Sequence, residues 1–143
     1  MSRPCEPSSC SLFVIVPGHS SSGPDAALLA QALHHRLRAA TIAVWTDEAD
    51  GVDLATAERA AAVADDLQRR TGLRPAYVEL SGDLCDAVAR LVQLGRDAAV
   101  VTVASTAPRR IRTAVRRAAE RSHAHLALVP DATPTDHHAR ELI

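Results

Sequence analysis

The chain has 143 residues, 47% of them hydrophobic, and a formal net charge of −1 from 16 basic and 17 acidic residues. That is enough chain for one domain with a sizeable core, and the charge balance gives no overall attraction to nucleic acid or to a membrane surface, so neither is expected as a partner. Every basic residue is arginine, which excludes a phosphate loop of the G-x-x-x-x-G-K-S/T kind, because that loop needs a lysine amine at the phosphates.

Residues 1–11 are rich in Pro and Ser and predict a disordered head. Cys5, Cys10 and Cys85 do not make a disulfide framework, and Cys5 and Cys10 lack both the spacing and the second pair of a zinc site. No signal-peptide core and no run near the roughly 18 apolar residues of a membrane span is present, so the expected location is the cytoplasm.

Residues 12–131 then read as one domain. Leu12 to Val16 is a short apolar run that predicts the first strand. Pro24 to Ala39 predicts the first helix, with Ala27, Leu28, Leu29, Ala32, Leu33 and Leu37 on its inner face. Thr41 to Trp45 is the second strand, and Leu54 to Arg70 a long helix stopped by Gly72. Ala76 to Leu80 is the third strand. Asp83 to Leu94 is a helix with Leu84, Val88, Leu91 and Val92 inward, closed by Gly95. Ala98 to Val103 is the fourth strand. Ser105-Thr106-Ala107-Pro108 opens the last helix, with Ile111, Val115 and Ala118 as its inner stripe, and Leu126 to Val129 is the fifth strand, ended by Pro130. Residues 132–143 form a C-terminal tail.

Strands apolar on both faces and linked by helices predict an α/β fold: a single doubly wound five-stranded parallel sheet with helices on both faces, of the Rossmann-like kind. Ligands in such sheets sit at the carboxyl ends of the strands, where the strand order reverses. The loop V-P-G-H-S-S-S-G-P-D, residues 16–25, lies at that mouth. If the fourth strand is the other neighbour of the first, the loop from Ala104 to Arg110 faces it.

The serine-glycine loop between strand and helix, the segment V-E-L-S-G-D-L-C-D-A-V-A-R-L-V and the following A-A-V-V-T-V-A-S resemble the universal stress protein domain, particularly its divergent version in the Kdp potassium sensor kinases. The resemblance spans about residues 12–130. It implies a five-stranded parallel sheet, frequent dimerisation and, in one subset of the family, ATP binding. The ATP-binding subset carries G-x-x-G and a later G-S/T after the fourth strand, whereas this chain has no glycine after Gly95. The Asp that commonly ends the first strand is replaced by Pro17-Gly18-His19. The resemblance therefore implies a degenerate ATP motif, with ATP or another adenine nucleotide as the cofactor class if one is held.

The candidate ligand-binding residues are Gly18, His19, Ser20, Ser21 and Ser22 on the first loop, and Ser105, Thr106, Arg109, Arg110 and Arg112 around the start of the last helix. Arginines against the helix dipole, beside free amides and serine hydroxyls, suit a phosphorylated small molecule. The same arginines also suit a solvated surface, and Ser20 to Gly23 also suit a helix cap with Pro24 at the first helical position. Gly18-His19-Ser20 further resembles the metal-binding turn of small tetrapyrrole chelatases, although His123 and His125 fall at the far end of the sheet from His19. No nucleophile, base and acid can be assembled. The leading expectation is a non-enzymatic regulator that binds a nucleotide or other phosphorylated ligand. The alternatives are a metal-dependent chelatase-like enzyme using His19 and a ligand-free dimeric scaffold. A homodimer through the apolar fifth strand is expected.

Overall fold

A computed structural model of the chain describes residues 9–18, 23–33, 36–47, 51–95 and 98–131. Its elements follow in the order β1 (Cys10–Pro17), α1 (Ala26–Ala32), β2 (Leu37–Thr46), α2 (Leu54–Thr71), β3 (Ala76–Ser81), α3 (Leu84–Gln93), β4 (Ala98–Ala104), α4 (Arg109–Arg121) and β5 (His125–Val129). The five strands form one sheet in the order β3-β2-β1-β4-β5, and every pairing is parallel. The alternation predicted from periodicity is the alternation observed.

The side-chain period of two along each strand divides the core between the sheet's faces. From β1, Leu12, Val14 and Val16 join Ala26 and Ala30 of α1 and Ala60, Val63 and Leu67 of α2. Phe13 and Ile15 point the other way and join Leu84, Val88 and Val92 of α3 and Ile111, Val115 and Ala118 of α4. Leu12, Ile15, Ile42, Val88 and Val115 are completely buried, and full burial of such a side chain is worth about 1.5–3 kcal/mol. This is why a continuous apolar run, rather than an alternating one, marks the central strands.

The helix ends follow local chemistry where the sequence supplies it. Gly72 ends α2 in the left-handed region at φ 80°, which a glycine adopts without steric cost. Asp83 caps α3 by accepting from the Asp86 amide at 2.9 Å. Trp45, at the end of β2, donates its indole Nε1 to the Gly82 carbonyl at 2.8 Å, so the S-G-D turn is tied to the neighbouring strand.

The first helix is shorter than predicted. The Leu29 and Ala30 carbonyls accept from Leu33 at its end, and by Leu37 the chain is already in β2, paired with Cys10. Alanine and leucine favour a helix across this stretch by only tenths of a kcal/mol per residue, and a tertiary ladder outweighs that. Leu28 accordingly lies outside the core rather than on an inner face. Asp25, not the serine loop, caps α1 by accepting from Leu28, and Pro24 precedes the helix. Strand β1 begins two residues before Leu12. The rest of the head, residues 1–8, and the tail, residues 132–143, lie outside the described residues. So do His19, Ser20, Ser21 and Ser22, and with them the chelatase expectation at His19. Cys10 and Cys85 are free thiols. Among the described residues, no helix is long and apolar enough to cross a membrane, and no group of three or more His, Cys, Asp or Glu is placed to hold a metal ion.

Candidate functional site

The strand order reverses between β1 and β4: from β1 the chain winds outward to β2 and β3, and from β4 it winds the other way to β5. The ladder between these two central strands stops at Val14↔Thr102. Each then continues with its outer neighbour only, β1 to Pro17↔Trp45 and β4 to Ala104↔Val129. The loops that follow keep to the same sides. The Gly18 amide donates to the Trp45 carbonyl at 2.6 Å, and the Ser105 amide donates to Val129 at 2.7 Å. The two strands therefore part at the carboxyl edge, the topological switch point whose crevice takes the ligands of open α/β sheets.

The predicted residues divide around this crevice. Gly18 stands on its β1 side, close enough to β2 that a Cβ there meets the Trp45 carbonyl oxygen at 3.2 Å. Ser105 and Thr106 stand on its β4 side, both exposed. Thr106 does not cap α4. Its Oγ1 donates to Asp131 Oδ1 at 2.6 Å, and Pro108 opens the helix without a side-chain cap. Gly23, at the end of the first loop, is a packing glycine: a Cβ there lies 2.7 Å from Val63 Cγ2.

The three arginines are placed differently. Arg112 turns back and donates its Nε to the Ala107 carbonyl at 2.9 Å, which braces the loop after β4. Arg109 and Arg110 open instead onto a groove between α3 and α4 of about 450 Å³, lined also by Asp83, Cys85, Thr113 and Arg117. Near that groove Arg121 donates to Asp86 Oδ1 at 2.6 Å and holds that carboxyl below its usual range, chiefly by this hydrogen bond. His125 opens β5 at the amino edge, paired with Val100, so the histidine of β5 and the crevice are at opposite ends of the sheet.

A solved structure described as a universal stress protein in complex with cAMP superposes on this chain with a TM-score of 0.59 at 15% sequence identity, covering 87% of this chain and 99% of the other. The fold is universal-stress-protein-like. No protein-family model matches the sequence, and no curated protein matches it. The universal-stress-like fold is thus a likeness of architecture.

Sequence reasoning missed one part of the site. The segment after β5 returns to the mouth: the Asp25 amide donates to the Pro130 carbonyl at 2.8 Å, and Pro24 and Asp131 form an isolated antiparallel bridge. Asp131 thereby brings a carboxylate to Thr106, and no local pattern near residue 131 announces it. Sequence reasoning also passed over Arg59 of α2, whose Nη2 donates to Thr56 Oγ1 at 3.1 Å while its Nε is buried without a partner. Arg59 adjoins Gly23, its carbonyl oxygen lying 3.9 Å from the position of a Cβ there, and a helical side chain reaches back toward its own N-terminus. The signal available was a single arginine in a stretch of α2 otherwise free of basic residues up to Arg69.

Proposed function

We propose that the protein is a non-enzymatic, universal-stress-type regulator that binds a nucleotide or another phosphorylated small molecule in the crevice between β1 and β4. The observation that carries this reading is the early end of the β1–β4 ladder at Val14↔Thr102, which opens the edge where this fold class takes ligands. The likeness to a protein solved with cAMP favours an adenine nucleotide within that class. The contacts assigned are Gly18 with His19, Ser20, Ser21 and Ser22, which follow it in sequence, and Ser105 and Thr106 on the β4 side, with Arg112 positioning the second loop through Ala107. The S-G-D turn aligns the chain with the divergent domains of Kdp sensor kinases rather than with ATP-gripping members. A cytoplasmic location and a homodimer through β5 belong to the same reading. His125–Val129 is an edge strand, Leu128 is half exposed, and an uncharged edge favours pairing with a second copy.

Thermal-shift and calorimetric titration with cAMP, AMP and ATP tests the reading, with Ser105→Glu as the matched variant. The expected result is stabilisation of the unmodified protein by at least one nucleotide, with affinity lowered roughly tenfold by the added carboxylate. No stabilisation by any of the three leaves the ligand-free scaffold, and equal affinity in Ser105→Glu moves the ligand out of the crevice.

A further inference from the structure

We propose that the groove between α3 and α4 is a docking site for an acidic peptide segment of a partner protein. The inference stands apart from the nucleotide reading, because it uses other residues on the helical face of the domain. Helix α4 carries Arg109, Arg110, Arg112, Arg116, Arg117 and Arg121 against the single acid Glu120, a net of +5 that leaves −6 for the rest of a chain whose total is −1. Two of the six are engaged, Arg121 with Asp86 and Arg112 with the Ala107 carbonyl. Among the described residues, Arg109, Arg110, Arg116 and Arg117 have no hydrogen-bond or ion-pair partner.

Folding does not account for this arrangement. Cations in the first turn oppose the helix dipole, and like charges one turn apart repel. Elsewhere the chain uses arginine in the stabilising sense: Arg69 and Arg70 sit in the last turn of α2 and both pair with Asp66. In α4, Arg109, Arg110 and Arg117 instead line one groove of about 450 Å³ with Thr113 beside them. Its one acid, Asp83, is occupied as the cap of α3.

The spacing selects the occupant. Arg109 and Arg117 leave the helix about 12 Å apart at 1.5 Å per residue, a backbone spacing that two separate acidic groups match more directly than one compact anion does. Two carboxylates on an extended peptide span about the same distance when they stand roughly four residues apart, and each forms a paired hydrogen bond with a guanidinium. A polynucleotide matches less well, since its dense charge also meets the field of the remaining −6, whereas a short peptide is screened from it beyond about 10 Å.

Fluorescence anisotropy with a labelled Glu-Ala-Ala-Ala-Glu repeat peptide tests the proposal on the full chain. Arg109→Glu with Arg117→Glu is the disrupting variant, Arg109→Ala with Arg117→Ala its milder counterpart, and Arg69→Glu with Arg70→Glu the control on α2. Circular dichroism establishes that each is folded. The expected result is saturable binding that weakens roughly tenfold or more between about 50 mM and about 300 mM salt. Each α4 pair should lose roughly tenfold to a hundredfold in affinity, and the α2 pair should not. Equal binding by wild type and α4 variants overturns the proposal. Tighter binding of a single-stranded oligonucleotide than of the peptide also overturns it, in favour of nucleic acid.

Discussion

Thr106 gives its hydroxyl hydrogen to Asp131 at 2.6 Å, and this bond sets a negative charge on the β4 wall of the crevice. A phosphate close to Thr106 is opposed by that carboxylate, by about 1 kcal/mol at 4 Å in water-like surroundings. Asp131→Asn keeps an acceptor for Thr106 and removes the charge. Its expected effect is a roughly fivefold tighter affinity for AMP by calorimetric titration. An unchanged or weaker affinity places the phosphate away from this wall.

Gly23 tests whether the first loop is set by packing. The Cβ of an alanine at this position lies 2.7 Å from Val63 Cγ2, and crowding of this kind costs about 1–3 kcal/mol. Gly23→Ala should lower the free energy of unfolding by that amount in urea denaturation. Combined with Val63→Ala, which removes the obstructing methyl, the substitution should cost about 1 kcal/mol less than it does alone. Additive effects in the double variant are the contrary outcome.

The pairing of Asp86 with Arg121 predicts a pH dependence. The folded carboxyl lies below its usual range, so the unfolded chain binds this proton more readily as the solution is acidified. The contribution of Asp86 is therefore complete above the ordinary carboxylate range and is lost as pH falls through the lowered folded value. Asp86→Asn should unfold at a lower temperature than wild type near neutrality, with the two melting curves converging under acid. A difference that persists unchanged into strong acid contradicts this account.

Strand β5 provides the assembly test. Charge at its half-exposed Leu128 should oppose edge pairing while sparing the buried Val129. Sedimentation equilibrium at tens of micromolar is expected to give a dimer for the unmodified protein and a monomer for Leu128→Glu. A monomer for both removes the β5 dimer from the functional reading.

Most of the architecture was legible because its determinants are local or strongly periodic. Val100 to Val103 could only be a strand buried on both faces, and Gly72 after a long amphipathic run could only be a helix stop. The misreading of Ala32 to Ala39 came from alanine and leucine, whose helix preference is small beside the pairing of Leu37 with Cys10. At the crevice the positions of Gly18 and Ser105 followed from strand ends. The parting of β1 from β4 did not, since strand order leaves no trace in periodicity. Asp131 was hidden for another reason: its partner Thr106 is 25 residues away in sequence. The turning of Arg109 and Arg110 toward α3 depended on how two helices pack, which neither helix records alone.

The clip between Pro24 and Asp131 brings the last described residue of the domain beside the start of its first helix. Pro130 and Asp131 stand at the doorway of the crevice, tethered through Thr106 to one doorpost and through Asp25 to the other. A molecule settling there shares its threshold with Pro130 and Asp131. That arrangement binds the two doorposts to each other through the segment after β5, so neither Thr106 nor Asp25 can shift without disturbing a hydrogen bond to the same short segment.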